Sequence, residues 1–151
     1  MQKVFVQTRW KPSSSPTYSG LLEIPAGHID GYENVFDAIR REVKEETGLN
    51  VTSFIDAYEG EVMANRPNDV SHVFQPFICQ QVLETHDGLP WIGFVFRCTV
   101  EGEAVMQADE AKDPKWLTLE ELDSLLQKTP EQVFSLQYTT LRYYIDFMKK
   151  K

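Results

Sequence analysis

Apolar residues fall in short runs along this chain, and each run predicts one element. Val4-Phe5-Val6 opens as a short strand and gives way to Lys11-Pro12-Ser13-Ser14-Ser15-Pro16, where two prolines and a serine triplet predict a loop. Residues 21–24 form a second apolar run, stopped by Pro25 and Gly27. Val35, Ala38, Ile39 and Val43 recur at three- and four-residue intervals, which predicts a helix over residues 35–47 with Gly48 as its stop. Residues 51–58 alternate and are β-branched, while residues 72–81 and 91–100 read as aromatic-rich strands joined through the turn His86-Asp87-Gly88. Between the strand ending near Tyr58 and the one starting at His72, residues 63–69 (Met-Ala-Asn-Arg-Pro-Asn-Asp) read as a surface loop. Thr118-Leu119-Glu120-Glu121 predicts a capping box and a short helix through Leu126. Thr129-Pro130-Glu131-Gln132 predicts a second box with proline at the first helical position. Phe134, Tyr138, Leu141, Ile145 and Met148 then mark a last helix, with Lys149, Lys150 and Lys151 at its negative end. Strands and helices intermix, so the expected fold class is mixed α/β, a mixed β-sheet packed between helices.

Composition narrows the function. A chain of 151 residues is expected to form a single domain over residues 1–151, and 42% apolar residues with 8 Gly excludes a disordered chain. With 15 Lys and Arg against 23 Asp and Glu, the net charge is −8. That argues against a nucleic acid polymer as partner, because such affinity comes from clustered cations. A polyanionic ligand would need a metal cation as intermediary. No apolar run approaches the roughly 20 residues of a membrane span, and residues 1–11 lack the plan of a secretory signal, so a cytoplasmic location is expected. Cys79 and Cys98 lie in apolar stretches without metal-like spacing and are expected to be buried free thiols. Asn50-Val51-Thr52 matches a glycosylation pattern that, without a secretion signal, is read as accidental.

The chemistry concentrates between Gly27 and Leu49. Glu42, Glu45 and Glu46 stand at i, i+3 and i+4, so they share one helical face at about 5–6 Å spacing. Each like-charge pair costs roughly 0.2–0.5 kcal/mol on an exposed helix, and glutamates late in a helix also oppose its dipole. A cation would offset that cost, and carboxylates without His or Cys select magnesium or manganese over zinc. Taken alone, such a face is as readily a solubilising surface.

The wider pattern changes this balance. Gly27, Glu33, Arg41, Glu42, Val43, Glu45, Glu46, Gly48 and Leu49 fall at the spacing of the Nudix box, and the chain resembles the Nudix hydrolases. Seven fixed positions at roughly 5–10% usage each make a chance match rarer than about one in a million. Residues 4–9 are similar to the family's early strand, residues 22–27 to its approach to the box, and Lys115-Trp116-Leu117-Thr118-Leu119-Glu120-Glu121-Leu122 to its late tryptophan-plus-helix element. The resemblance implies the Nudix fold, a mixed sheet between helices with the box as loop, helix, loop. Relatives usually have more residues before the first strand, so either that strand is short or another segment completes the sheet edge.

The resemblance implies metal-dependent hydrolysis of a phosphoanhydride in a nucleoside diphosphate linked to another moiety, with Mg2+ or Mn2+ as cofactor. Glu42 and Glu46 are its first-choice metal ligands, Glu45 a ligand or the base that deprotonates water, and the Ala26 carbonyl a further ligand. Arg41 can reach Glu45 at i+4, as a catalytic support or an ordinary ion pair. Glu33 would brace the loop, while Gly27 and Gly48 serve the backbone. Glu110, six residues before Trp116, resembles the family's late metal-binding glutamate, with Asp109 and Glu103 as substitutes and an acidic surface loop as the alternative. Arg9 and Lys11 are candidate phosphate contacts. Trp10, Tyr18, Tyr58 and Trp91 could stack on a nucleobase or simply pack. His28, His72 and His86 are read as structural or solvent-facing.

The expected partner is a small nucleotide-like diphosphate, and a homodimer is left open. Glu23-Ile24-Pro25-Ala26-Gly27 resembles ADP-ribose and nucleotide-sugar pyrophosphatases, whereas small size and Trp116 equally suit enzymes acting on nucleoside triphosphates, oxidised ones included. Residues 63–69 would select the leaving group, and Pro67 lies roughly where ADP-ribose enzymes carry a proline. Three other readings are weaker. A non-catalytic nucleotide-binding Nudix module usually loses box glutamates, and none is lost here. An allylic-diphosphate isomerase needs an active-site cysteine. An interaction module on the last helix rests only on an apolar stripe that any docked helix shows.

Overall fold

The computed structural model describes all 151 residues. In chain order it contains β1 (Lys3–Arg9), β2 (Leu22–Glu23), α1 (Val35–Thr47), β3 (Asn50–Phe54), β4 (Val62–Arg66) and β5 (Asp69–His72). There follow β6 (Ile78–Val82), β7 (Trp91–Val95), β8 (Cys98–Glu101), β9 (Ala111–Thr118), α2 (Leu119–Lys128) and α3 (Ser135–Lys149). β1 is a central strand, antiparallel to β9 along its length on one side and to β2 at Gln7 and Thr8 on the other. Val6 and Gln7 are both fully buried, which means that both faces of this strand are covered.

The two faces are chemically different because side chains alternate along a strand. Val4 and its β9 partner Leu117 pack against a core of Leu122, Leu126, Val133, Leu141 and Ile145, contributed mainly by α2 and α3. On the opposite face Gln7 and its β2 partner Glu23 meet α1. The sheet β2-β1-β9 therefore lies between α1 and the α2–α3 pair, the mixed α/β arrangement that the sequence leads one to expect. The remaining strands pair as β3–β8, β4–β5 and β6–β7, all antiparallel. Parallel pairing is confined to the isolated bridge Leu22–Val133. An edge-to-face cluster of Phe36, Phe54, Phe74 and Phe96 joins the start of α1 to β3 and to the segments around β7.

Several expectations need correction. The capping box of α2 is formed, with Thr118 Oγ1 accepting from Glu121 N at 3.1 Å and Glu121 Oε2 accepting from Thr118 N at 2.8 Å. The second box is not. Pro130–Gln132 makes one 3-10 turn, after which Val133 is extended to pair with Leu22, and Phe134 N donates to Leu22 O at 2.7 Å. That pairing ends the helical path, and α3 starts afresh at Ser135 without a side-chain cap. Residues 63–69 fall in the β4–β5 hairpin instead of a loop, with Asn68 at φ 69° supplying the left-handed turn residue. Residues 91–100 divide at Phe96-Arg97 into strands of two different pairs, because Arg97 turns onto the rings of Phe77 and Phe147. Residues 72–81 likewise divide, and Pro76 lies in the gap. Cys79 is exposed, on the outer face of β6 opposite the partly exposed Phe94. Burial pushes the Cys98 thiol pKa up. No helix is long and apolar enough to cross a membrane.

Candidate active site

Helix α1 is fixed at both ends, so its glutamates are aimed. The Asn34 side chain accepts from Phe36 N and Asp37 N, each at 3.0 Å. At the other end Gly48 takes a left-handed φ of 76° and donates to Lys44 O, and Val105 N donates to Thr47 O at 2.7 Å. A side chain on residue 48 would press on the Val105 backbone at 3.1 Å. Val35, Phe36, Ala38 and Val43 form the buried stripe. Glu46 follows on that side and is buried, Glu42 is half-buried and Glu45 faces solvent.

Glu46 lies beneath the surface against β1. Gln7 Nε2 donates to Glu46 Oε2 at 3.0 Å and to Glu23 Oε1 at 3.2 Å. Arg9 Nη1 holds the other Glu23 oxygen at 3.2 Å, and Arg9 Nη2 reaches Ser15 Oγ at 3.4 Å. Desolvation pushes the Glu46 pKa up to about 7; the Gln7 hydrogen bond opposes this, and the negative charges of Glu23, Glu110 and Glu42 add to it. Burial also raises Glu23, against the pull of Gln7 and Arg9. The fold thus gathers four carboxylates from α1, β2 and the segment before β9. Glu110 is half-buried, and its carbonyl accepts from Trp10 N at 3.0 Å, which ties it to the end of β1.

Arg41 is the hub on the outer side. Its guanidinium clasps Glu33 through two bonds of 2.8 and 2.9 Å, and donates to Glu42 Oε1 at 2.8 Å, Glu45 Oε2 at 3.1 Å and the His28 carbonyl at 2.9 Å. The i+4 contact with Glu45 is therefore one bond of five. Arg41 lowers the Glu33 pKa to about 2, and the carboxylates in turn raise that of Arg41. Gly27 lies directly against Glu42, since a Cβ at residue 27 would collide with the Glu42 carboxyl group. Ala26 is exposed beside it.

Glu42, Glu45, Glu46, Arg41, Glu33, Gly27 and Glu110 are thus brought together, while other candidates are placed elsewhere. Tyr18 is buried: its ring packs edge-on against Phe134 and its hydroxyl meets Thr85 Oγ1 and His86 N, so it does not stack on a ligand. Arg9, a candidate phosphate contact, pairs with Glu23 and lies over the Phe134 ring. Lys11 is half-buried. Trp10 carries the Lys112 ammonium 3.3 Å above its ring, Tyr58 stands beside Met63 and Val73, and Trp91 folds over Gly93. Asp109 and Glu103 are exposed. His28 contributes its carbonyl alone, His72 packs on Phe36 and Phe74, and His86 lies beside Tyr18. Sequence reasoning missed Gln7 and Glu23. The one signal for each was a polar residue inside an apolar run.

The donor set fits a hard divalent cation. No three acidic, His or Cys side chains converge at ligand distance, and Arg41 and Gln7 each occupy carboxylate oxygens of the cluster. Glu42 uses Oε1 for Arg41 and Glu46 uses Oε2 for Gln7, which leaves one oxygen of each without a protein donor. All candidate donors are oxygens, the ligand type that hard divalent cations select, and Gln7 Oε1 is a buried acceptor with no partner.

The NUDIX domain model matches residues 1–137. The chain belongs to the NUDIX domain family. As a Nudix hydrolase it carries the complete box between Gly27 and Leu49. Comparison with curated proteins finds no match. Among solved structures, this Nudix domain is similar to a MutT NUDIX hydrolase from Burkholderia pseudomallei, with 19% identity, 79% of this chain and 75% of that chain covered and a TM-score of 0.54. It is also similar to a MutT protein from Bacillus halodurans, with 19% identity, 95% and 74% coverage and a TM-score of 0.56. At these identities the likeness is one of fold. A C. elegans Ap4A hydrolase matches with 16% identity, 99% and 89% coverage and a TM-score of 0.49.

Proposed function

We propose that this Nudix hydrolase cleaves a phosphoanhydride bond in a nucleoside diphosphate linked to another group, with Mg2+ or Mn2+ held by Glu42, Glu46 and Glu110 and the carbonyl of Ala26. The observation that carries the reading is the gathering of Glu42, Glu110 and Glu23 around the buried Glu46 in a chain of net charge −8. Such a concentration of like charge binds an acidic substrate only through a cation. When bound, the ion would neutralise the diphosphate and acidify a water molecule.

The protein's own part is positional. Glu46 and Glu42 present their free oxygens from one helical turn. Glu45, exposed and tethered by Arg41, is placed to take the proton from the attacking water or to add a ligand. Arg41 fixes Glu42, Glu45 and Glu33 in one clasp, so the loop over residues 27–33 and the helix move as a unit. Gly27 lets that loop lie against Glu42. Lys11, the β4–β5 hairpin and the exposed aromatics are left to discriminate among substrates.

The test is formation of the nucleoside monophosphate and its partner phosphomonoester or pyrophosphate, separated by chromatography, from ADP-ribose, nucleotide sugars, dinucleoside polyphosphates and normal or oxidised nucleoside triphosphates, each with Mg2+ or Mn2+. One class should be turned over well above the rest. Glu46→Gln should lower that rate by roughly 100-fold or more, within the range seen on loss of a catalytic group, with an unchanged circular dichroism spectrum. A variant that keeps more than about a tenth of the wild-type rate contradicts the assignment.

A further inference from the structure

We infer that Gln7 is a positioning residue: its amide sets which oxygen of Glu46 faces the ion and couples that carboxylate to Glu23. The inference rests on the metal-site reading above and adds to it a residue outside the box.

Gln7 sits on the central strand and is 1% exposed. Its single NH2 group serves two carboxylates, Glu46 Oε2 at 3.0 Å and Glu23 Oε1 at 3.2 Å, which uses both of its hydrogens. The amide cannot turn over, because the flipped form would set Oε1 against two acidic oxygens. The cross-strand register Gln7–Glu23 fixes the pair laterally, and Arg9 holds Glu23 from the far side. Glu46 receives no other protein donor, so its orientation depends on this bond. Oε1 of the same amide is buried and without a partner. A methionine would fill the space and remove the orphaned Oε1, but it would leave Glu46 Oε2 and Glu23 Oε1 without their donor, so packing alone gives no reason for glutamine here. Holding a ligand by its second oxygen does, since partners behind a metal ligand orient it.

The decisive experiment uses the full chain without substrate. Free Mn2+ is followed by electron paramagnetic resonance as protein is added, for wild type, Gln7→Met, Glu46→Gln and the double variant, beside thermal melting and steady-state kinetics. Gln7→Met should weaken Mn2+ binding about 10-fold and lower kcat by a similar factor, with KM within about twofold and a lower metal-free melting temperature, since two buried carboxylate oxygens lose their donor. In the Glu46→Gln background the same change should have no further effect on Mn2+ binding, which a merely structural role would not produce. If Gln7→Met does not fold, Gln7→Asn takes its place: it keeps an amide in less volume but falls one carbon short of Glu46, and it must weaken Mn2+ equally. Wild-type Mn2+ affinity in the folded variant, or additive effects in the double variant, overturns the proposal. A wild-type protein that binds Mn2+ but cleaves no diphosphate overturns the hydrolase reading while the titration still decides Gln7. A wild type that binds no Mn2+ overturns both.

Discussion

A single carbon at position 27 would occupy the place of the Glu42 carboxyl group. Because that carboxyl is the end of a flexible side chain, Gly27→Ala should displace Glu42 instead of unfolding the loop. Its cost then falls on the site. The expected outcome is a melting temperature close to wild type together with about a 10-fold rise in the Mg2+ concentration that half-saturates turnover. An unchanged Mg2+ dependence would remove Glu42 from the ligand set. Residues of this kind were legible because the box is contiguous: Glu42, Glu45, Glu46 and Arg41 share a helix whose period fixes their neighbours. Gln7 and Glu23 were not, since their meeting with Glu46 depends on strand register and on how α1 lies across the sheet. For Tyr18 the sequence leaves stacking and packing both open, and its hydroxyl has partners at Thr85 and His86 that draw it inside.

At the scale of elements, local signals held where the chain itself supplies the partner. The Thr118 cap and the Gly48 stop are both realised, because each satisfies backbone groups only three or four residues away. The β4–β5 hairpin was missed because its strands are exposed throughout and carry no alternating core pattern. The packing of α2 on α3 was foreseeable from their apolar stripes, but its polar seam was not. Asp123 of α2 accepts from Lys149 Nζ at 2.7 Å and Arg142 Nη1 at 2.9 Å of α3, and from Gln127 within its own helix. These bonds, that of Lys149 foremost, hold the Asp123 pKa down to about 2 from an ordinary 3.8. A carboxyl whose pKa is lower in the folded state stabilises that state above its unfolded value and loses the contribution as pH falls through the folded one. Asp123→Asn should therefore melt earlier than wild type near about pH 5, and the gap should close as the pH approaches about 2. A gap that stays constant over that range would mean the ion pairs contribute nothing.

For the whole molecule, two effects of added salt must be separated. A net charge of −8 repels itself, so any electrolyte should stabilise the fold somewhat by screening, on a length of about 10 Å at 0.1 M. Glu23, Glu42 and Glu110 place their charge around Glu46 on one side of the sheet, while the α2–α3 core on the other side is apolar. A specific ion at the acidic side binds the folded state alone, because Glu23, Glu46 and Glu110 come from separate parts of the chain and meet only on folding. Mass action then adds about 2.7 kcal/mol at 100 times the dissociation constant. For a chain of this size each kcal/mol raises Tm by about 2–4 °C, so the gain is roughly 5–10 °C. Sodium chloride at the same ionic strength should give only the screening part. Glu46→Gln should keep the sodium response and lose the excess produced by magnesium. Equal melting shifts with MgCl2 and NaCl at matched ionic strength would show that the acidic cluster is a diffuse negative surface, and the catalytic reading built on it would fall with that result.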